Sequence, residues 1–305
     1  MKILVFGSNG LVGNSLRRVL SSRVEFDVYF STRKDTDLFS IKATKEVIKN
    51  FSPNIIINAA AKVGGIHANN TYRSEFLLEN LKINMNILES CIENPEIFII
   101  NLGSSCIYPL DAPNPIKESY LLQGKLEPTN SPYAIAKIAA IELAQSLNIQ
   151  YGHKILNLMP TNLYGPNDNF SDNNSHVIPG LISRMHKAKI TNQETFKVWG
   201  TGEPLREFLY VDDLAESILF LINNSIESNL LNIGSGEEVK IKDLANLIKS
   251  TINYFGDIIF DDNMPNGNPR KLLDSSKINN FGWQAKTKLE EGLKNTYSWY
   301  LKHIN

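Results

Sequence analysis

The chain has 305 residues, 42% hydrophobic and 21% charged, with a formal net charge of −1. That balance fits one large α/β unit or two packed lobes around a buried core, and it excludes a global basic field for nucleic acid or an anionic membrane. Two cysteines, Cys91 and Cys106, exclude a disulfide framework, and no apolar run nears the ~18 residues of a membrane span.

Residues 3–6 are the first predicted strand, and 26–30, 54–58, 97–102 and 155–159 follow. Each run is short, rich in Ile and Val, and apolar at consecutive positions, as in a parallel sheet covered on both faces. Helical patterns lie between them at 11–20, 41–50, 75–93 and 133–151, and a helix at 211–222 precedes a sixth strand at 230–233. This alternation predicts an α/β fold, a Rossmann-type doubly wound parallel sheet. Past Met159 the pattern loosens, and the polar loop 167–175 reads as a binding loop. Residues 1–162 with about 209–236 form the expected nucleotide-binding domain. Residues 163–208 and 237–305 form a smaller substrate-binding lobe. With no signal-peptide core at the start, a cytoplasmic protein is expected.

Between the first strand and first helix stands Gly7-Ser8-Asn9-Gly10-Leu11-Val12-Gly13. Gly7 permits a tight turn, Gly10 a close approach of backbone to a pyrophosphate, and Gly13 close helix–strand packing. The helix N-terminus then offers amide groups to phosphates. The second strand runs into Ser31-Thr32-Arg33-Lys34, without the carboxylate that usually holds an NAD ribose. Arg33 there suits the 2′-phosphate of NADPH; the alternative is that Arg33 and Lys34 form a solvated turn.

Tyr133 and Lys137 lie four apart on one face of a predicted helix. A neighbouring ammonium favours the phenolate and is expected to lower the Tyr133 pKa, so that Tyr133 serves as the acid for a carbonyl receiving hydride. Ser104, just past the fourth strand, is placed to hydrogen-bond the same carbonyl.

These motifs resemble those of the extended short-chain dehydrogenase/reductases and, more narrowly, of the GDP-L-fucose synthase family, which are GDP-4-keto-6-deoxy-mannose epimerase/reductases. Matching blocks run nearly end to end: Ala60-Ala61-Lys62-Val63-Gly64-Gly65-Ile66, Leu102-Gly103-Ser104-Ser105-Cys106-Ile107-Tyr108-Pro109 and Leu126-Glu127-Pro128-Thr129-Asn130 on to Lys137. Others are Met159-Pro160-Thr161-Asn162-Leu163-Tyr164-Gly165, Asp168-Asn169-Phe170 and Asn174-Ser175-His176-Val177-Ile178-Pro179. The last are Trp199-Gly200-Thr201-Gly202, Arg206-Glu207-Phe208 and Pro269-Arg270-Lys271-Leu272-Leu273-Asp274.

The resemblance implies a catalytic triad of Ser104, Tyr133 and Lys137. It also implies that Cys106 and His176 are the acid/base pair for inversion at C3 and C5, whose C–H bonds a 4-keto group acidifies. On residues alone, Cys106 could equally be a small buried strand-end residue and His176 a loop histidine. For NADPH, the resemblance implies contacts from Gly7, Asn9, Gly10, Leu11, Val12, Gly13, Arg33, Ala59, Ala60, Ala61, Tyr133, Lys137, Pro160, Asn162, Leu163 and His176. For a GDP-linked 4-keto-6-deoxy sugar it implies Val63, Ser104, Ser105, Cys106, Asn162, Arg184, Trp199, Arg206, Arg270 and Lys271. Arg184 and Arg206 would clamp the diphosphate, Trp199 would pack on the base, and Arg270 with Lys271 would close the site. A homodimer through helices 75–93 and 133–151 is implied, and no metal site is expected.

Four departures stand out from the family pattern. Asn263-Met264-Pro265-Asn266-Gly267-Asn268 replaces the usual Lys-Pro-Asp-Gly-Thr, Asn9 stands where some members carry Arg, Gly180 where Ala is commoner, and Arg73 where Pro is frequent. Two other readings stand beside the epimerase/reductase: a C4 reductase without epimerisation, acting on a related sugar such as a heptose, and an NADPH-sensing protein, which would need neither Tyr133 nor Lys137.

Overall fold

A computed structural model of the chain describes residues 1–171, 175–224, 226, 228–264 and 266–303. Asn174 of the matched loop and Pro265 of the departing segment lie outside the described residues. The first half alternates as expected: β1 (Lys2–Phe6), α1 (Leu11–Leu20), β2 (Asp27–Ser31), α2 (Ile41–Phe51), β3 (Ile55–Asn58), α3 (Ile66–Thr71), α4 (Arg73–Ser90), β4 (Phe98–Leu102), α5 (Ser131–Tyr151) and β5 (Ile155–Pro160). The second half is busier: β6 (Asn162–Tyr164), α6 (Val177–Ile190), β7 (Thr195–Trp199), β8 (Leu205–Tyr210), α7 (Val211–Asn224), β9 (Leu230–Ile233), β10 (Glu238–Lys240), α8 (Ile241–Ile252), β11 (Asp257–Asp261), β12 (Arg270–Lys271), α9 (Ser276–Asn280) and α10 (Leu289–His303).

Six strands form one parallel sheet in the order β2-β1-β3-β4-β5-β9. Consecutive side chains of a strand point to opposite faces, which explains the unbroken apolar runs. In β1, Ile3 and Val5 pack with Leu16 and Leu20 of α1 and Leu214 and Ile218 of α7. Leu4 and Phe6 pack on the other face with Ile48 of α2, Ile83 and Ile87 of α4 and Ala144 of α5. Each such fully buried aliphatic side chain contributes about 1.5–3 kcal/mol of burial free energy. The chain leaves β1 toward β2 on one side and returns to β3 on the other, so a topological switch point opens at the carboxyl ends of β1 and β3.

The other strands are short. β8 pairs with β10, β12 and β6, while β11 pairs with β7. Their apolar residues join those of α6, α8 and α10 in a second core that includes Tyr164, Ile182, Met185, Phe208, Leu244, Ile248 and Tyr297. Ile278 of α9 and Trp283 pack back into the first core. β10 and β12, of three and two residues, are too brief to print a periodic pattern, and α6, α8, α9 and α10 lie in stretches where the sequence predicts no element. α3 was absent from the predicted elements, and α4 starts at Arg73 rather than Glu75 and ends at Ser90. Its seven-residue-spaced Leu78 and Met85 are exposed, as are Ile135 and Ile149 of α5.

Candidate active site

Gly7 has a φ of +77°, a left-handed backbone suited to glycine. A Cβ there would lie 2.6 Å from the Ala60 amide nitrogen, so the turn after β1 and the loop after β3 meet with no space for a side chain. Gly13 presses in the same way against the Gly7 carbonyl and the Ser8 backbone. Gly10 opens α1 without any side-chain cap, and the first amides of that helix therefore face outward from the turn. A groove runs from there along the ends of β2 and β3, past Asn9, Ser31, Thr32, Arg33, Asp37, Leu38, Ala59, Ala60 and Ala61. Asp35 accepts from the Thr32 amide and hydroxyl at 2.8 and 2.6 Å, a turn that sets Arg33 at the exposed rim. Among the described residues no carboxylate pairs with Arg33. The uncapped amides, the cradle that a Cβ would fill and the rim guanidinium fit a dinucleotide. Leu11 and Val12 are half-buried in the first turn of α1.

Across the groove, α5 begins with Pro132 in its first turn and ends at Gly152, whose φ is +73°. Lys137 on that helix is 2% exposed, and its ammonium donates to the Leu102 carbonyl at 2.7 Å. It also stands 5.8 Å from the centre of the Tyr133 ring. Phe76 of α4 meets the same ring edge-on, with centroids 6.3 Å apart. Ser104, extended after β4, is within hydrogen-bonding reach of the Tyr133 phenol, and its hydroxyl accepts from the Cys106 amide at 3.4 Å. Ser105 and Cys106 are buried beside it in a short 3-10 turn.

The electrostatics correct one expectation. Burial raises the Tyr133 pKa, the Cys106 thiolate adds to the rise, and only the Ser104 hydrogen bond opposes it. Lys137 directs its charge at the Leu102 carbonyl and is itself brought down to about 8 by burial, with Cys106 opposing. The phenol is thus held protonated, which suits a proton donor more than a base. Cys106 is raised by burial, while Lys271, the Ser104 hydroxyl and Lys137 pull it back. Lys271 is lowered by burial, with Cys106 opposing and Arg206 reinforcing the fall.

Ser104, Cys106, Tyr133, Lys137, Lys271 and Arg206 therefore form one electrostatic cluster, although they come from four separate stretches of chain. Lys271 and Arg206 are register partners on β12 and β8. Asn162 joins the same seam by donating to the Glu207 carbonyl at 2.8 Å, beside buried Pro160 and half-buried Leu163. His176 stands at the exposed start of α6, with surrounding protein lowering its pKa. Arg184 lies over the Phe196 ring at 5.2 Å and reaches the Gly180 and Lys197 carbonyls. Trp199 is 60% exposed; the Thr201 amide beyond it donates to Asn266 at 2.8 Å, so the departing segment clasps this turn. Arg270 is committed to Glu238 through contacts of 2.6–2.9 Å, and Val63 is exposed near the start of α3.

Three residues with clear work at the site went unassigned in the sequence. Glu127 accepts from Thr129 and Asn130 and so fixes the turn into α5; its acceptor spacing of two and three residues was a local signal available in advance. Asn80 exchanges hydrogen bonds with the Lys62 backbone at 3.0 Å each way, holding the loop after β3. Asp37 lines the groove. Asn80 acts across 18 positions, a range at which sequence pattern carries no signal.

The model of the NAD dependent epimerase/dehydratase family matches residues 3–234. GDP-L-fucose synthase 1 of Arabidopsis thaliana is 48% identical over 303 residues, 99% of this chain and 94% of that protein. Among solved structures, a GDP-mannoheptose C4 reductase from Campylobacter jejuni with NADP bound superposes with a TM-score of 0.88 at 33% identity, covering 98% of each chain. A GDP-L-fucose synthetase from Naegleria fowleri bound to NADP gives a TM-score of 0.90 at 30% identity, covering 99% of this chain and 94% of its own.

Proposed function

Because the chain belongs to the NAD dependent epimerase/dehydratase family, and within it to the GDP-L-fucose synthase group, we propose that it reduces the C4 ketone of a GDP-linked 4-keto-6-deoxy sugar with NADPH after inverting C3 and C5. The observation that carries this reading is the cluster of a protonated phenol, a hydroxyl and a buried thiol flanked by the Lys271 and Arg206 cations. NADPH, held by the Gly7–Gly10–Gly13 turn and by Arg33, supplies the hydride.

The chain's own groups do the rest. Tyr133 gives its proton to the C4 oxygen while the Ser104 hydroxyl hydrogen-bonds that oxygen, so the ketone becomes a secondary alcohol. Lys137, anchored on the Leu102 carbonyl, stands 5.8 Å from the centre of the phenol ring and holds this end of the helix against the strand that leads to Ser104. Before reduction, Cys106 and His176 exchange the acidified protons at C3 and C5, one removing a proton and the other returning it on the opposite face. Lys271 and Lys137 favour the thiolate that such exchange needs. Arg206, Arg184 and Lys271 hold the diphosphate, Trp199 packs on the base, and Asn162 with Val63 borders the sugar. We further propose a homodimer through the exposed apolar stripes of α4 and α5, working in the cytoplasm, where the two free cysteines stay reduced.

The test is product NMR after turnover in deuterated water. Deuterium at C3 and C5 is the expected result, and protium at both with C4 reduced would leave a reductase alone. Cys106→Ser should cut C3/C5 exchange at least about a hundredfold and leave C4 reduction of a pre-epimerised substrate within about threefold; unchanged exchange removes Cys106 from its role.

A further inference from the structure

Glu207 is 0% exposed on β8, and among the described residues no lysine or arginine pairs with it. An isolated buried carboxylate is costly, so its persistence calls for dedicated hydrogen bonds. Two of those bonds come from backbone amides, and the Thr161 hydroxyl adds a third. One carboxylate oxygen accepts from the Gly236 amide at 2.8 Å and the other from the Leu273 amide at 3.1 Å. Its main-chain carbonyl accepts from the Asn162 side chain at 2.8 Å and the Thr161 hydroxyl at 3.3 Å. Gly234 faces the carboxylate so closely that a Cβ would collide with it.

These four tethers join the strand carrying Arg206 to the residue two past Lys271, to the loop after β9, and to the seam after β5. We propose that Glu207 is a positioning residue that fixes the Arg206–Lys271 pair at the spacing a nucleoside diphosphate requires, against the edge of the sheet where the cofactor lies. The inference rests on the reading of Arg206 and Lys271 as the diphosphate clamp. A neutral amide cannot replace this bracket. In Glu207→Gln the amide nitrogen would face a backbone N–H, so one of the two buried backbone donors loses its acceptor.

The experiment measures GDP and NADP⁺ affinity by calorimetry, together with KM and kcat, for wild type, Glu207→Gln and Gly234→Ala. The alanine displaces the carboxylate without removing its charge, so it covers the case in which the glutamine variant fails to fold. Both variants should weaken GDP at least about tenfold and raise KM in step, with kcat within about threefold and NADP⁺ affinity within about twofold of wild type. GDP affinity within twofold of wild type in a folded variant overturns the proposal. So does equal loss of GDP and NADP⁺ affinity, the mark of general damage. If wild type itself fails to bind GDP, the substrate reading falls and the clamp with it; if wild type binds and the variants match it, only the positioning role falls.

Discussion

The two walls of the cleft are built by different means. On the cofactor side, the motifs lie within single elements: seven consecutive residues form the glycine turn, and Tyr133 and Lys137 stand four positions apart on one helix. On the substrate side, nothing is local. Arg206 meets Lys271 by strand pairing across 65 positions, Asn162 reaches Glu207 across 45, and Thr201 is clasped by Asn266 across 65. The first wall depends on backbone geometry that few residue types satisfy, the second on long-range pairings that many sequences could make. Damage to the first should therefore fall on chemistry or cofactor, and damage to the second on substrate affinity.

The sharpest break of that division is Tyr133→Phe. Removing one hydroxyl keeps the ring against Phe76 but deletes the proton donor, so kcat for C4 reduction should fall by about 10²–10⁴. NADPH affinity, measured by fluorescence titration, should stay within about twofold. A variant retaining more than a tenth of wild-type kcat would mean that another group protonates the ketone and that the local wall is not the reacting one.

This difference also explains how much could be read from the sequence. The sheet was legible because its strands are buried on both faces and write unbroken Ile/Val runs, as at Ile55, Ile56 and Ile57. The glycine turn was legible because Gly7 and Gly13 have no room for any other residue. The small strands β10 and β12, of three and two residues, were not, since so short a segment lacks a period. Arg270 illustrates the limit: its type and place suggested an anion contact, whereas Glu238 engages it through a pairing invisible in local pattern. The phenol's electrostatics were misjudged for a related reason. Four-residue spacing on a helix gave Lys137 as a neighbour, but burial and the Leu102 carbonyl, both set by tertiary packing, decide where its charge acts.

A milder probe stays on the cofactor wall. Arg33 lies at the groove rim with no carboxylate paired to it among the described residues, so Arg33→Ala should weaken NADPH by about 10–100-fold and NADH by less than about threefold. Parallel calorimetric titrations of both cofactors settle it. Equal losses would show that Arg33 shapes the turn instead of reading the phosphate, and the local wall would then be legible in its turn but not in its cofactor preference.

The smallest effect tests the seam between the walls. Asp168 lies in the loop after β6, near Asn167, whose side chain accepts from Arg18 of α1 at 3.0 Å. One Asp168 oxygen accepts from the Asn169 amide at 2.7 Å, while the other is buried without a partner. Burial raises its pKa to about 7, with the Asn169 hydrogen bond opposing. The sign follows from proton binding. Between the ordinary carboxylate pKa near 4 and about 7, the folded state holds a proton that the unfolded chain has lost, so stability falls as pH rises through that window. Above it, a charged and half-satisfied carboxylate remains in the seam. Asp168→Asn keeps the shape, removes the charge and supplies a donor, so it should stabilise the protein by ~1 kcal/mol at pH 8, a rise in Tm of about 1–2 °C. Near pH 3, where the carboxyl is largely protonated in both states, the two Tm values should converge. A variant less stable than wild type at pH 8 would show that the carboxylate is wanted in its charged form, and that this seam belongs with the substrate wall and its long-range hydrogen bonds.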